Sequence, residues 1–225
     1  MTKKILITGA NGQLGHEMRN ALKGNNRFEC IFTDVAELDI CNAEAVKQII
    51  ADNHIDYIVN CAAYTQVDKA EDNAELCKKI NTDAVENLAR AAADYGARMI
   101  HISTDYVFNG RGYRPYTEDM VPDPQSVYGS TKLEGEKILT DICPESIIIR
   151  TAWLYSPYGN NFVKTMLHLG EEREELSVVA DQIGTPTCAA DLAQAILVIL
   201  QADTFVAGEH TISPTKGYVV GMTSQ

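Results

Sequence analysis

Five short apolar runs punctuate the first 150 positions, at residues 4–8, 28–33, 55–60, 99–103 and 146–150. Each has strand length and is rich in Ile, Val, Phe and Cys, with little of the polar alternation of a half-exposed strand. Between them lie helical patterns at 16–22 and 42–52, a long one from Asp68 to about Tyr95 that Gly96 ends, and one around Tyr128. Strand and helix alternating five times predict an α/β fold, a doubly wound parallel sheet covered on both faces. From Thr151 the texture changes to loops rich in aromatics, amides and glycine around two helical segments, 162–169 and 188–201. The chain is therefore read as a first domain over 1–150 and a smaller, partial substrate-binding lobe over 151–225. The longest apolar segment, 192–200, is broken by Gln194 and falls well short of the ~20 residues that cross a membrane, so it reads as a buried helix.

Charge and cysteine usage narrow the function classes. A formal net charge of -12 argues against nucleic acid or an anionic membrane as partner, since binding their phosphates needs clustered Lys and Arg. The six cysteines are scattered, with no CxxC pair and no metal-like spacing with His, which suits a reducing compartment and gives no zinc site. The N-terminus enters its first strand at once, with no apolar run long enough for a signal peptide. A cytoplasmic protein is expected.

The first strand runs into Gly9-Ala10-Asn11-Gly12-Gln13-Leu14-Gly15 and then a helix. Strand, glycine turn and helix form the context of a dinucleotide-binding, Rossmann-type unit: glycines permit the sharp turn and close backbone approach, and the helix start attracts phosphates. Asp34 ends the second strand, where a carboxylate meets the adenosine ribose and accepts from a 2′-OH, favouring NAD over NADP. Asp39 and Ile40 are placed to flank the adenine, with an ordinary loop carboxylate or helix cap as the competing reading of either acid. Small residues end the third strand at Cys61-Ala62-Ala63, before Tyr64 and Thr65. Thr104 leaves the fourth strand, a position from which its hydroxyl can meet a substrate carbonyl, with a threonine capping its own turn as the competing reading. Tyr128 and Lys132, four apart on one helix, point into the same space. A phenol titrates near ~10, and a nearby ammonium favours its anionic form.

Gly9, Gly12 and Gly15, Ser103-Thr104-Asp105-Tyr106-Val107-Phe108 and Tyr128-Gly-Ser-Thr-Lys132 together resemble the extended short-chain dehydrogenase/reductase superfamily. More narrowly, residues 60–71, 150–155, 159–166 and 181–187 are similar to its dTDP-deoxysugar 4-ketoreductases, continuously from Lys4 to about Glu209. The resemblance implies NAD(P)H-dependent reduction of the 4-keto group of dTDP-4-dehydro-L-rhamnose, a precursor of cell-surface polysaccharide. It implies that Tyr128 donates the proton, that Lys132 lowers its pKa and holds the nicotinamide ribose, that Thr104 and Asp105 orient the carbonyl, and that Trp153 shapes the sugar pocket. Gly12, Gln13, Leu14, Asp39, Ile40, Ala63, Tyr64, Thr65 and Ile102 would touch the dinucleotide, NADP(H) or NAD(H). The alternatives are a nucleotide-sugar epimerase or dehydratase of the same superfamily, or a non-catalytic nucleotide-binding subunit. The resemblance also implies a nucleotide-sugar substrate and a homodimer. Some members hold Mg2+ at a dimer contact, where Glu17 and Asp191 are the counterparts; Ala190 stands where a further acid would be needed, so no metal is expected.

After Glu209 the sequence departs from the family pattern. Residues 210–224 admit a codon choice that, read two bases later, gives YYLTNEGVCSWYDF, the segment the resemblance leads one to expect there. The tail 210–225 is therefore expected to be frameshifted, and the substrate lobe shortened. Sequencing the gene across these codons decides it.

Overall fold

In the computed structural model, residues 2–179 and 181–202 are described, together with the backbone of 218–221. The reinterpreted tail thus lies outside the described residues, except for those four. Strands β1 (Lys3–Thr8), β2 (Phe28–Thr33), β3 (Tyr57–Asn60), β4 (Arg98–Thr104) and β5 (Ile147–Thr151) fall within a few residues of the apolar runs. With β8 (Tyr218–Gly221) they form one sheet in the order β2-β1-β3-β4-β5-β8, every neighbouring pair parallel. The chain leaves β1 toward β2 and then crosses to β3 on the other side of β1. This reversal opens a crevice at the carboxyl ends of β1 and β3, where doubly wound sheets bind ligands.

The period-2 geometry of the strands divides the core in two. Leu6, Ile58, Met99 and Ile148 pack on one face against Val46 and Ile50 of α2 (Ala43–Asn53), Leu88 of α5 (Ala84–Tyr95) and Leu139 of α6 (Val127–Ile142). Ile5, Ile7, Val59, Ile100 and Ile149 pack on the other against Leu14 and Met18 of α1 (Gln13–Ala21) and Leu192, Ile196 and Leu200 of α8 (Ala189–Gln201). The sequence assigned the residues of α8 to the second lobe. Their apolar stripe, spaced at three and four, instead completes the core of the first domain, which thus draws on chain well beyond residue 150. The lobe itself comprises a two-stranded parallel pair, β6 (Leu154–Tyr155) with β7 (Thr187–Cys188), and α7 (Phe162–Glu172), none of whose residues is buried.

Two departures from the sequence pattern shape the site. The first helix starts at Gln13 rather than His16, so the glycine turn feeds directly into helical N–H groups. The long pattern expected over 68–95 is broken into α3 (Val67–Asp72), α4 (Ala74–Lys78), a π-helical turn at Lys79–Asp83 and α5. The π turn lets Asn81 reach sideways, accepting from the Tyr64 N–H at 2.9 Å and donating to the Tyr64 carbonyl at 3.1 Å. Its neighbour Thr82 donates to the Thr131 carbonyl at 2.9 Å, tying this segment to α6.

Gly15 has a steric role. A Cβ there would lie 2.4 Å from the Gly9 carbonyl oxygen and 2.5 Å from the Ala10 Cα, so only glycine lets α1 sit on the turn. Gly15→Ala is expected to destabilise the fold by ~1–3 kcal/mol through overpacking. Denaturant unfolding measures this, and an unchanged midpoint would show that the turn gives way freely.

Candidate active site

A cleft of about 1100 Å³ runs over the carboxyl edge of the sheet, from the turn at Gly9 and Gly12 to Trp153 and Phe162. Its walls gather Gly9, Gly12, Gln13, Leu14, Asp34, Asp39, Ile40, Ala63, Thr65, Ile102, Thr104, Asp105, Tyr128, Lys132 and Trp153, all expected from the sequence. Two expected residues stand behind the wall. Gly15 seats the helix, and Tyr64 packs with Ala70, Cys77 and Tyr128 while its backbone is held by Asn81. The sequence reading missed Asn11, Val35, Leu76, Lys79, Gly159 and Asn161, which also line the cleft. Asn11 belongs to the glycine turn and Gly159 and Asn161 to the 159–166 stretch, whereas only the fold brings Val35, Leu76 and Lys79 to the cleft.

The cleft suits a dinucleotide. The N-cap of α1 is Gly12, with no side-chain cap and no acid in the first turn, so the leading N–H groups face the cleft ready for phosphate oxygens. Asp34 is tethered on both oxygens, accepting from the Asn11 and Val35 N–H groups at 2.9 Å each, which fixes its charge beside the turn. Asp39 accepts from the Cys41 N–H at 2.9 Å, the turn-closing role that competed with adenine contact. Gln13 joins the turn to the second lobe by donating to the Leu154 carbonyl at 3.3 Å and accepting from Asn161 Nδ2 at 2.9 Å.

The candidate reacting groups converge at the far end of β4. Ser126 caps α6 by accepting from the Gly129 N–H at 3.1 Å, so Tyr128 and Lys132 lie in its first two turns. Gly129 allows α6 to approach the Tyr106 backbone, whose oxygen a Cβ would meet at 2.2 Å. Tyr128 is buried and shares the cleft wall with Thr104, whose hydroxyl donates to Asp105 Oδ1 at 3.2 Å. Burial pushes Tyr128 up to about 12, partly opposed by the Thr104 hydroxyl and reinforced by Asp105. Burial likewise raises the Asp105 carboxyl. The downward pull that the sequence reading assigned to Lys132 is not among the influences on the phenol here, and burial sets the direction. For a proton donor this is favourable, because the phenol stays loaded throughout the neutral range.

Lys132 is 1% exposed, and burial lowers it to about 8, against the opposing pull of Glu136 and Cys77. Its Nζ donates to the Ile102 carbonyl at 2.7 Å and lies 3.1 Å from His101 Nε2. In the unfolded chain the amine titrates near 10.5, so the folded state binds fewer protons between about pH 8 and 10.5. Stability therefore rises with pH across that window, by up to about 3 kcal/mol from this group. Lys132→Met is expected to flatten this part of the stability–pH curve; parallel curves for the two proteins would mean that Lys132 titrates normally.

A glycine turn, a cleft over the strand ends and a Tyr–Lys–Thr trio define a dinucleotide-binding protein of the short-chain dehydrogenase class. Residues 3–210 match the model of the RmlD substrate binding domain, and the chain belongs to that family. It is 45% identical over 92% of its length to the dTDP-4-dehydrorhamnose reductase of Aggregatibacter actinomycetemcomitans, covering 69% of that protein. It is 48% identical over 84% of its length to the reductase of the same name from Escherichia coli (strain K12), covering 64% of it. The chain thus spans about two thirds of the length of these curated relatives. The crystal structure of dTDP-4-dehydrorhamnose reductase from Bacillus anthracis in complex with NADP superposes with a TM-score of 0.89 at 41% identity, covering 100% of this chain and 76% of that one.

Proposed function

We propose that the chain carries the catalytic half of an NAD(P)H-dependent reductase acting on the 4-keto group of dTDP-4-dehydro-L-rhamnose. The observation that carries this reading is that Tyr128, Thr104 and Lys132 line the same cleft as the glycine turn. A nicotinamide cofactor, when bound, supplies hydride. The α1 N-terminus holds its phosphates, and Thr104 and Tyr128 hold the keto oxygen, to which Tyr128 gives its proton. Lys132, held on the Ile102 carbonyl, would hold the nicotinamide ribose. The fixed carboxylate of Asp34 accepts from a ribose 2′-OH and repels a 2′-phosphate, which supports use of NADH, while the NADP complex of the Bacillus anthracis relative supports NADPH. Trp153 and Phe162, 6.4 Å apart between ring centroids, offer the sugar an apolar wall in the lobe that starts at residue 151. Among the described residues no helix is long and apolar enough to cross a membrane, and substrate and reductant both belong to the cytoplasm, where we place the protein.

The test follows absorbance of each reduced dinucleotide upon adding the dTDP-4-keto sugar. Net oxidation matching the keto sugar consumed is the expected result. Cofactor recycled with no net oxidation would favour an epimerase or dehydratase, and binding without reaction a regulatory subunit.

A further inference from the structure

The side chain of Gln13 ties the second lobe to the glycine turn. As the first residue of α1, it donates from Nε2 to the Leu154 carbonyl at 3.3 Å and accepts at Oε1 from Asn161 Nδ2 at 2.9 Å. Asn161 in turn caps α7, its Oδ1 accepting from the Lys164 N–H at 3.0 Å, while its Nδ2 also donates to the Ser156 carbonyl at 2.8 Å. Each amide has a backbone partner that only accepts or only donates, so neither can be turned over without losing a bond. Gly159 lies against the same glutamine, since a Cβ there would stand 3.2 Å from the Gln13 Cγ. Further along the same face of α1, His16 stacks on Tyr158 with centroids 4.5 Å apart, and Asn20 Nδ2 donates to the Tyr158 hydroxyl at 3.1 Å.

The two bonds of Gln13 land beside the two aromatic rings of the lobe: Leu154 follows Trp153, and Asn161 precedes Phe162. Trp153 has a φ of 47°, a left-handed conformation that a bulky residue keeps only where its surroundings impose it. They do so on several sides. The Trp153 carbonyl accepts from the Thr187 N–H at 3.3 Å, the indole lies so close over Gly184 that a Cβ there would come within 3.1 Å of it, and the next carbonyl along is the one Gln13 holds. At the other ring, α7 buries no residue, so its start is set by hydrogen bonds rather than by packing, and Asn161 supplies the cap.

We propose that Gln13 and Asn161 are positioning residues that couple the two ligand sites: a diphosphate bound at the α1 turn fixes Gln13, whose amide then holds Trp153 and Phe162 in place for the sugar. The peptide N–H of Gln13 is one of the leading α1 groups offered to phosphate oxygens, so the residue that feels the diphosphate is the residue that grips the lobe. Linkage makes the effect reciprocal, and a sugar nucleotide seated against the aromatic wall tightens the dinucleotide by the same factor. That consequence for the sugar nucleotide rests on the reductase reading; the effect of a bound diphosphate on Trp153 does not.

Trp153 is the chain's one tryptophan, so its emission reports on the wall directly. ADP-ribose is the probe, because it carries the diphosphate but no nicotinamide ring to touch or quench the indole. In the parent protein, acrylamide quenching of Trp153 is expected to fall on saturation with ADP-ribose, its binding followed by calorimetry. Asn161→Asp keeps an oxygen to cap α7 but sets an acceptor against Gln13 Oε1, and Gln13→Met removes both Gln13 bonds while keeping a good helix former. In each variant the fall is expected to be lost, and in the double variant no further change is expected, since both substitutions cut one connection. An ADP-ribose response that persists in both variants, as a purely structural role for these residues would leave it, overturns the proposal. So does a parent protein whose Trp153 ADP-ribose leaves unprotected. The second arm measures NADPH affinity from its fluorescence with and without dTDP-L-rhamnose, which has no keto group to reduce. The sugar nucleotide is expected to tighten NADPH about 5-fold or more in the parent and to have no such effect in Asn161→Asp. Binding of both ligands without mutual tightening overturns the coupling. A protected Trp153 in a protein that binds no dTDP-L-rhamnose overturns the reductase reading and leaves the hold of Gln13 on the wall standing.

Discussion

Tyr128→Phe is expected to bind reduced dinucleotide as the parent protein does and to turn over ~10²–10⁴-fold more slowly, the usual worth of a positioned general acid. The substitution removes one oxygen and leaves the ring in its cluster with Ala70 and Cys77. Thr104 keeps its partners, Asp105 Oδ1 and the Tyr106 N–H, both at 3.2 Å, so no buried donor is orphaned and the fold should hold. The loss should fall on turnover rather than on cofactor affinity, because the phosphate-binding turn lies at the other end of the cleft. Fluorescence titration with the reduced dinucleotide and single-turnover absorbance separate the two. Turnover near the parent's rate would take the phenol out of the mechanism and leave the keto oxygen to a different donor.

The sheet and the convergence of the candidate groups on one cleft were legible in the sequence for a shared reason. A strand buried on both faces writes itself as an unbroken apolar run, and the glycine turn, Thr104 and Tyr128–Lys132 each lie at a junction that such runs define. What the sequence left hidden comes from contacts between distant positions. The π turn at Lys79–Asp83 leaves no period that differs visibly from a helix, so one long helix was expected in place of four segments. Residues 189–201 followed irregular chain and were assigned with it, although their stripe of Leu192, Ile196 and Leu200 fits the groove beside α1. His101 reads as an ordinary strand position, because only the packing of α6 over β4 puts its imidazole beside Lys132. The electrostatics were harder still. The Tyr–Lys spacing suggested a lowered phenol pKa, but spacing carries no measure of burial, and burial decides the direction here.

The largest expected effect on stability comes from the ion pair that anchors α6. Arg150 of β5 meets Glu136 of α6 through two bonds, Nε to Oε1 at 3.0 Å and Nη2 to Oε2 at 2.6 Å, with both side chains less than a tenth exposed. The guanidinium also lies 5.0 Å from the Phe108 ring centroid, and among the described residues its Nη1 has no hydrogen-bond partner. Glu136→Leu leaves that cation buried and uncompensated, and is expected to cost about 3–5 kcal/mol in denaturant unfolding. Adding Arg150→Met removes the stranded charge, so the double variant should recover most of the loss, since well-packed apolar groups replace buried pairs with little cost. If the pair serves stability alone, turnover should recover with the fold. A different outcome is expected, because the same bonds fix the rotation of α6 one turn beyond Lys132, and a misplacement of ~1 Å costs about 10²-fold in rate. The double variant should therefore melt close to the parent and remain slow. A double variant with parental turnover would show that Ser126 and the Asn81–Thr82 contacts suffice to aim Tyr128.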